Sequence, residues 1–194
     1  MRIFTLALSL AFSTLAFSSK TFADWTLQDP SSVHFLTSKN THTTEIHHFK
    51  KFEAVVKESG YSKMMIDLSS IDTRIEIRDE RMREHLFDLA RFSSASFETE
   101  IPATVLAQVN AGKATQFELK GQISLHGEQV AAHCQVMISP NKDKTIMVSS
   151  ITPLLIDANS FNLVAGINKL TEIAGLKSIS YTVPVMFSLT FKAE

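Results

Sequence analysis

The chain has 194 residues, 44 % of them apolar and 20 % charged, with a formal net charge of −1. That is length enough for one domain with a sizeable core, and the composition is that of an ordinary globular protein. The absence of a basic surplus gives no support to nucleic acid or an anionic membrane surface as partner, and the single cysteine excludes an internal disulfide.

Residues 1–23 read as a signal peptide. Met1-Arg2 is a short positive start, Ile3 to Phe17 is an apolar run too short to span a bilayer comfortably, and Thr21-Phe22-Ala23 places small residues where a signal peptidase reads them. Cleavage is expected before Asp24. It removes Arg2 and Lys20, leaving 17 basic against 20 acidic residues, a net charge of about −3. No later apolar run approaches the ~20 residues that a membrane span needs, so the remaining chain is expected to be exported and not integral to a membrane.

From there period-2 alternation dominates. It predicts strands over 33–38, 46–57, 64–70 and 94–101, then a hairpin of 115–125 with 129–139 around His126-Gly127-Glu128. A turn at 141–143 leads to a strand over 145–151. Cys134 falls on the apolar face of its strand with Val130, Ala132, Val136 and Ile138, which predicts a buried thiol. Helices are expected at 78–88, at 102–110 with proline at its first turn and Gly112 past its end, and at 160–174, where Leu163, Ile167, Leu170 and Ala174 share one face and Gly175 ends it. The last segment, SISYTVPVMFSLTFKAE, puts Ile179, Tyr181, Val183, Val185, Phe187, Leu189 and Phe191 on one face. Pro184 cannot donate to a ladder, which predicts a bulge or break beside it. Eight or so antiparallel strands, each with one apolar face, predict an all-β fold with short helices: an eight-stranded antiparallel lipocalin-like barrel, able to hold one small ligand. A two-sheet sandwich is the alternative.

Catalytic signatures are missing. There is no G-x-S-x-G and no Gly-rich phosphate loop, and the single S-x-x-K, Ser139 to Lys142, lies in a turn without its companion motifs. His42, His47 and His48 cluster, but His47 and His48 point to opposite faces of a strand and are read as surface histidines, with no metal site. Fourteen Phe and seven Met stand against one Trp and two Tyr. Such a set suits either a packed core or the wall of a pocket for an apolar ligand.

Several segments in order resemble the YceI-like family of periplasmic, lipocalin-like, polyisoprenoid-binding barrels. WTLQDPSSVHFLTSK resembles its opening strand, HHFKKFEAVV its Gly-x-Phe-x-x-Phe strand, and IDLSSIDTRIEIRDERMREHLF its Ser-(Ile/Val)-Asp-Thr, Arg-Asp and His-Leu sequence. RFSSASFETE, the hairpin LKGQISLHGEQVAAHCQV and the alternating C-terminus follow. The resemblance spans 25–191 and departs from the family pattern at His47, at Glu128-Gln129 and in a long helical insertion over 153–176. It implies a barrel domain over 24–194 in the periplasm. This would be a carrier, not an enzyme, holding a small apolar lipid such as a polyisoprenoid, an isoprenoid quinone or a fatty-acid derivative, with no cofactor. A homodimer stays open. The wall is expected at Phe35, Phe97, Phe117, Ile123, Val185, Phe187 and Leu189. In the charged stretch, Asp72 and Thr73 are expected to cap a helix. Arg78, Asp79, Arg81, Arg83 and Glu84 are read as surface or rim pairs, with Arg78, Arg83 and His85 as the headgroup alternative and Leu86 and Phe87 packed inward. Two other functions compete: an enzyme acting on such a lipid with His85 or His126 as base, and a ligand-free structural barrel.

Overall fold

The computed structural model describes residues 24–141 and 143–194. The signal-peptide reading of 1–23, with cleavage before Asp24, lies outside the described residues, as does Lys142 of the 139–142 turn. In chain order the strands are β1 (Trp25–Lys39), β2 (Thr43–Phe49), β3 (Phe52–Val56), β4 (Tyr61–Asp67), β5 (Ile71–Asp72), β6 (Ser94–Glu100), β7 (Thr115–Leu125), β8 (Glu128–Pro140), β9 (Thr145–Ser150), β10 (Leu154–Asp157) and β11 (Thr182–Ala193). The helices are α1 (Glu76–Arg81), which runs into a π-helical turn (Met82–Leu86), α2 (Ala103–Asn110) and α3 (Val164–Ile173).

Eight of these strands form a closed antiparallel ring, β1-β3-β4-β6-β7-β8-β9-β11, and β11 returns to β1. Closure leaves the ring without a free edge, as the alternation predicts for strands with one apolar face. The β7–β8 hairpin turns on His126 and Gly127, both at positive φ (52° and 84°), the backbone that a two-residue hairpin with matching twist requires.

Two expectations about strands are corrected. The single strand over 46–57 is broken in two. Lys50 N–H donates to the Ser70 carbonyl (3.1 Å) and Lys51 N–H to Ser70 Oγ (3.0 Å), so Ser70 takes over the backbone between β2 and β3. β3 pairs with the start of β1, and β2 with its far half and with β5. Pro184 does not interrupt β11. It lies at the start of that strand, opposite Leu155 of β10, and the β1 ladder stops one residue later at Phe35 and Val185, so no partner on that side is denied a hydrogen bond. The register shift lies instead in β1, between Gln28 and Ser32.

Helices occupy both ends of the ring. α2 connects β6 to β7 at one end, where Val105, Val109, Val136, Ile138 and Phe191 are buried together with Cys134. α1, the π turn and α3 lie at the other end. Gly166 of α3 packs so closely on the π turn that a Cβ there would lie 2.5 Å from the His85 carbonyl oxygen.

Candidate functional site

The two ends of the barrel differ in how they are filled. At the α2 end the inward side chains are packed: Val136 is 0 % and Ile138 1 % exposed. At the other end the same inward alternation continues, yet Met64, Ile66, Ala95, Phe97, Val185 and Phe187 stay only half-buried. They face a cavity of about 440 Å³, within the range of small-molecule sites. Strands β1, β2, β4, β6, β7, β10 and β11 form its wall. Met82 and Leu86 of the π turn with Phe87 just after it, and Ile167 and Leu170 of α3 with Leu163 just before it, close over it.

Of the expected wall residues, Phe35, Phe97, Ile123, Val185 and Phe187 line this cavity. Phe117 and Leu189 do not. They line a second space of about 60 Å³ towards α2. Alternation gives the face on which a side chain lies but not its depth along the barrel, and these two sit too deep. Met64, Phe97 and Phe187 border both spaces and form the partition between them.

One edge of the cavity is polar. Glu45 Oε2 accepts from Lys39 Nζ and from Arg78 NH1, both at 2.8 Å. Its carboxyl is held below the usual range, chiefly by the hydrogen bond from Lys39. Arg78 also donates to Thr73 Oγ1 (2.8 Å) and to the Thr73 carbonyl (2.6 Å). His47, 3 % exposed, lies beside this group with Nε2 3.0 Å from Thr37 Oγ1. Burial first, and the nearby Arg78 charge second, push its pKa down.

In the charged stretch around α1, Arg78, read as a surface or rim pair, is half-buried at the cavity edge and paired with Glu45. Asp79 is buried, and its Oδ1 accepts from both the N–H and the hydroxyl of Thr73, so it reaches back where Asp72 and Thr73 were expected to cap forward. Arg83 and His85 do not line the cavity. Arg83 NH1 donates to the Ser69 carbonyl (3.2 Å), and His85 lies 3.8 Å from Glu84. Leu86 and Phe87 do pack inward.

His47 is likewise no surface histidine. The expectation that it and His48 face opposite ways does hold, since His48 turns out towards Asp72 (3.3 Å). His126 also lies outside the cavity lining, with Nδ1 3.2 Å from the Phe161 carbonyl and its ring on Phe92. Among the described residues no three His, Cys, Asp or Glu side chains come together as a metal site. The sequence reading missed Lys39, Glu45, His47 and Arg81 as lining residues. The signal for Glu45 and His47 was present, because both share the period-2 face of Phe49.

The sequence model of the YceI-like domain matches residues 25–191. Among solved structures, a polyisoprenoid-binding domain from Saccharophagus degradans is 32 % identical, with a TM-score of 0.83 over 89 % of this chain and 99 % of that one. BcnA from Burkholderia cenocepacia is 22 % identical, with a TM-score of 0.65 over 82 % of this chain and 95 % of that one. A YceI protein from Campylobacter jejuni is 13 % identical, with a TM-score of 0.53 over the full length of both chains. The last two share the fold. No curated protein matches the chain. With closed barrel, hollow end and sequence pattern in agreement, the chain belongs to the YceI-like family.

Proposed function

We propose that this protein is a periplasmic carrier that holds one long apolar lipid, a polyisoprenoid, isoprenoid quinone or fatty-acid derivative, with its tail in the hollow half of the barrel. The observation that carries the reading is the half-buried state of Phe97, Phe187, Val185 and Met64 around a void of about 440 Å³. An apolar tail placed there removes surface from water on both sides, at ~25 cal/mol per Å². The void weighs against a ligand-free barrel with a filled core. The polyisoprenoid-binding domain at 32 % identity supports the ligand class.

The polar edge gives the lipid's head an address. Thr37, Lys39, Glu45, His47, Arg78 and Arg81 are polar side chains that line the cavity. Binding needs no catalytic group, and the two histidines that an enzymatic reading would use as bases, His85 and His126, both lie off the cavity.

Native mass spectrometry of the protein purified from its own periplasm tests this directly. A co-purifying lipid of a few hundred daltons or more is expected. Phe187→Asp and Phe97→Asp should empty the barrel before they unfold it, since an ionised carboxylate in that space costs several kcal/mol unless it is hydrated. An empty wild-type protein, with both aspartate variants simply unfolded, would overturn the carrier reading. Arg83→Ala should leave the ligand in place.

A further inference from the structure

The cavity opens beside α1, and the rim of that opening has an unusual surface. Ile75 and Ile77 are 48 % and 51 % exposed, yet both also line the cavity. Opposite them Leu176 lines the same space from the loop after α3. That loop is tied to the end of β1: Asn40 N–H donates to the Ser178 carbonyl (2.9 Å), Ser180 N–H to the Ser38 carbonyl (2.8 Å), and Lys39 bridges Ile179. Two fixed apolar lips thus frame the way in.

The charge of this rim is opposite to that of the molecule. Residues 24–194 carry 17 basic and 20 acidic side chains. The cavity edge carries Lys39, Arg78 and Arg81 against Glu45 alone. Arg74 and Lys177, both exposed, adjoin Ile75 and Leu176 in sequence. The side chains of Arg74, Arg81 and Lys177 make no hydrogen bond or ion pair with another described residue. The exposed acids of α1 adjoin the rim in sequence as well, Glu76 between the two isoleucines and Glu80 beside Arg81, so five cations there stand against three carboxylates.

We propose that this rim docks on the surface of an anionic lipid bilayer, with Ile75, Ile77 and Leu176 entering the headgroup layer and the surrounding cations facing anionic lipids. The inference rests on the carrier reading, and it supplies what that reading lacks: a route by which a long apolar tail passes between bilayer and barrel without crossing water. Exposed isoleucines at the mouth of an apolar cavity, ringed by unpaired cations, have the chemistry of a lipid interface. The overall charge hides this because most of the acids lie elsewhere on the molecule.

The test is co-sedimentation of the purified protein with vesicles of phosphatidylcholine alone and of phosphatidylcholine with phosphatidylglycerol. Binding to the second kind is expected, weakened by added salt. Ile75→Ser with Ile77→Ser, and Arg81→Gln with Lys177→Gln, should each lower partition roughly tenfold or more. Leu155→Ser, which removes an exposed leucine (60 %) that does not line the cavity, should change nothing. Melting curves confirm that each variant is folded. The docking proposal falls if the wild type ignores phosphatidylglycerol vesicles, if the rim variants bind as the wild type does, or if Leu155→Ser loses as much as they do. Ligand content measured in parallel separates the two readings. A protein that carries lipid but ignores vesicles sinks only the docking surface. One that binds vesicles but never holds a lipid sinks the carrier.

Discussion

Cys134 and His47 are two side chains whose chemistry is set by burial. The thiol of Cys134 is pushed up to about 11 by desolvation on the inner face of β8. Its thiolate is scarce at neutral pH, so a thiol reagent should label the folded protein slowly and the unfolded protein at once. Rapid labelling of the native protein would show a route to β8 that the packing does not provide. The inward position of Cys134 was legible in the sequence, because its alternating neighbours are all small or apolar. His47 obeys the same alternation, yet its polarity alone made it look like a surface residue. Its folded-state pKa lies below the ordinary histidine value. Below pH ~6.5 the unfolded chain therefore takes up a proton that the folded one refuses. Stability should be fully present above that pH and be lost as pH falls through the lowered folded value. Glu45, whose own carboxyl sits low, stays ionised over that window and does not mimic the effect. Urea melts at neutral pH and at pH ~5 should show the loss in the wild type and a smaller loss in His47→Gln. Equal losses would assign the slope to another group.

At the level of elements, the helices and most strands are legible in the sequence, and the contacts between elements are not. The apolar spacing of Leu163, Ile167 and Leu170 gave α3 and the face it presents, and those residues do cover the cavity. Nothing in the spacing explained Gly166 in its middle. The reason is tertiary: a Cβ there would meet the His85 carbonyl oxygen at 2.5 Å and the Leu86 Cα at 2.8 Å. Alanine raises helix propensity by up to ~1 kcal/mol, but here it forces α3 off the π turn. Gly166→Ala should therefore destabilise by about 1–3 kcal/mol in spite of propensity, read as a lower melting temperature. An unchanged or higher one would mean that α3 lifts without cost. The break between β2 and β3 is the complementary case. The paired polar residues Lys50 and Lys51 interrupt the alternation, which shifts from Phe49 to Phe52, and Ser70, nineteen positions on from Lys51, takes over the backbone there.

For the molecule as a whole, closure was legible and hollowness was not. Strands with one apolar face and one polar face can hide the first by packing on a second sheet or by curling it inward, and eight of them here close a ring. Whether the inside is then solid or empty depends on how far along the axis each side chain sits and on what the helices bring. The same alternating phenylalanines serve a packed end and an open end. Phe117 was assigned to the wrong one for that reason. Net charge misleads in a similar way, since −3 for residues 24–194 says nothing about where the cations gather.

The partition made by Met64, Phe97 and Phe187 turns the barrel into a ruler. On the carrier reading, a lipid tail entering from the α1 side would advance until it met these three side chains, and where they stand would limit the number of carbons it carries. Behind them lies a further space of about 60 Å³. Phe97→Ala should join the two spaces at a cost of about 3 kcal/mol or less, and the lipids that co-purify should shift towards longer tails. A widening of the space behind Phe97 without any change in the mass of the bound lipid would mean that the head, held at the rim, decides how far the tail extends.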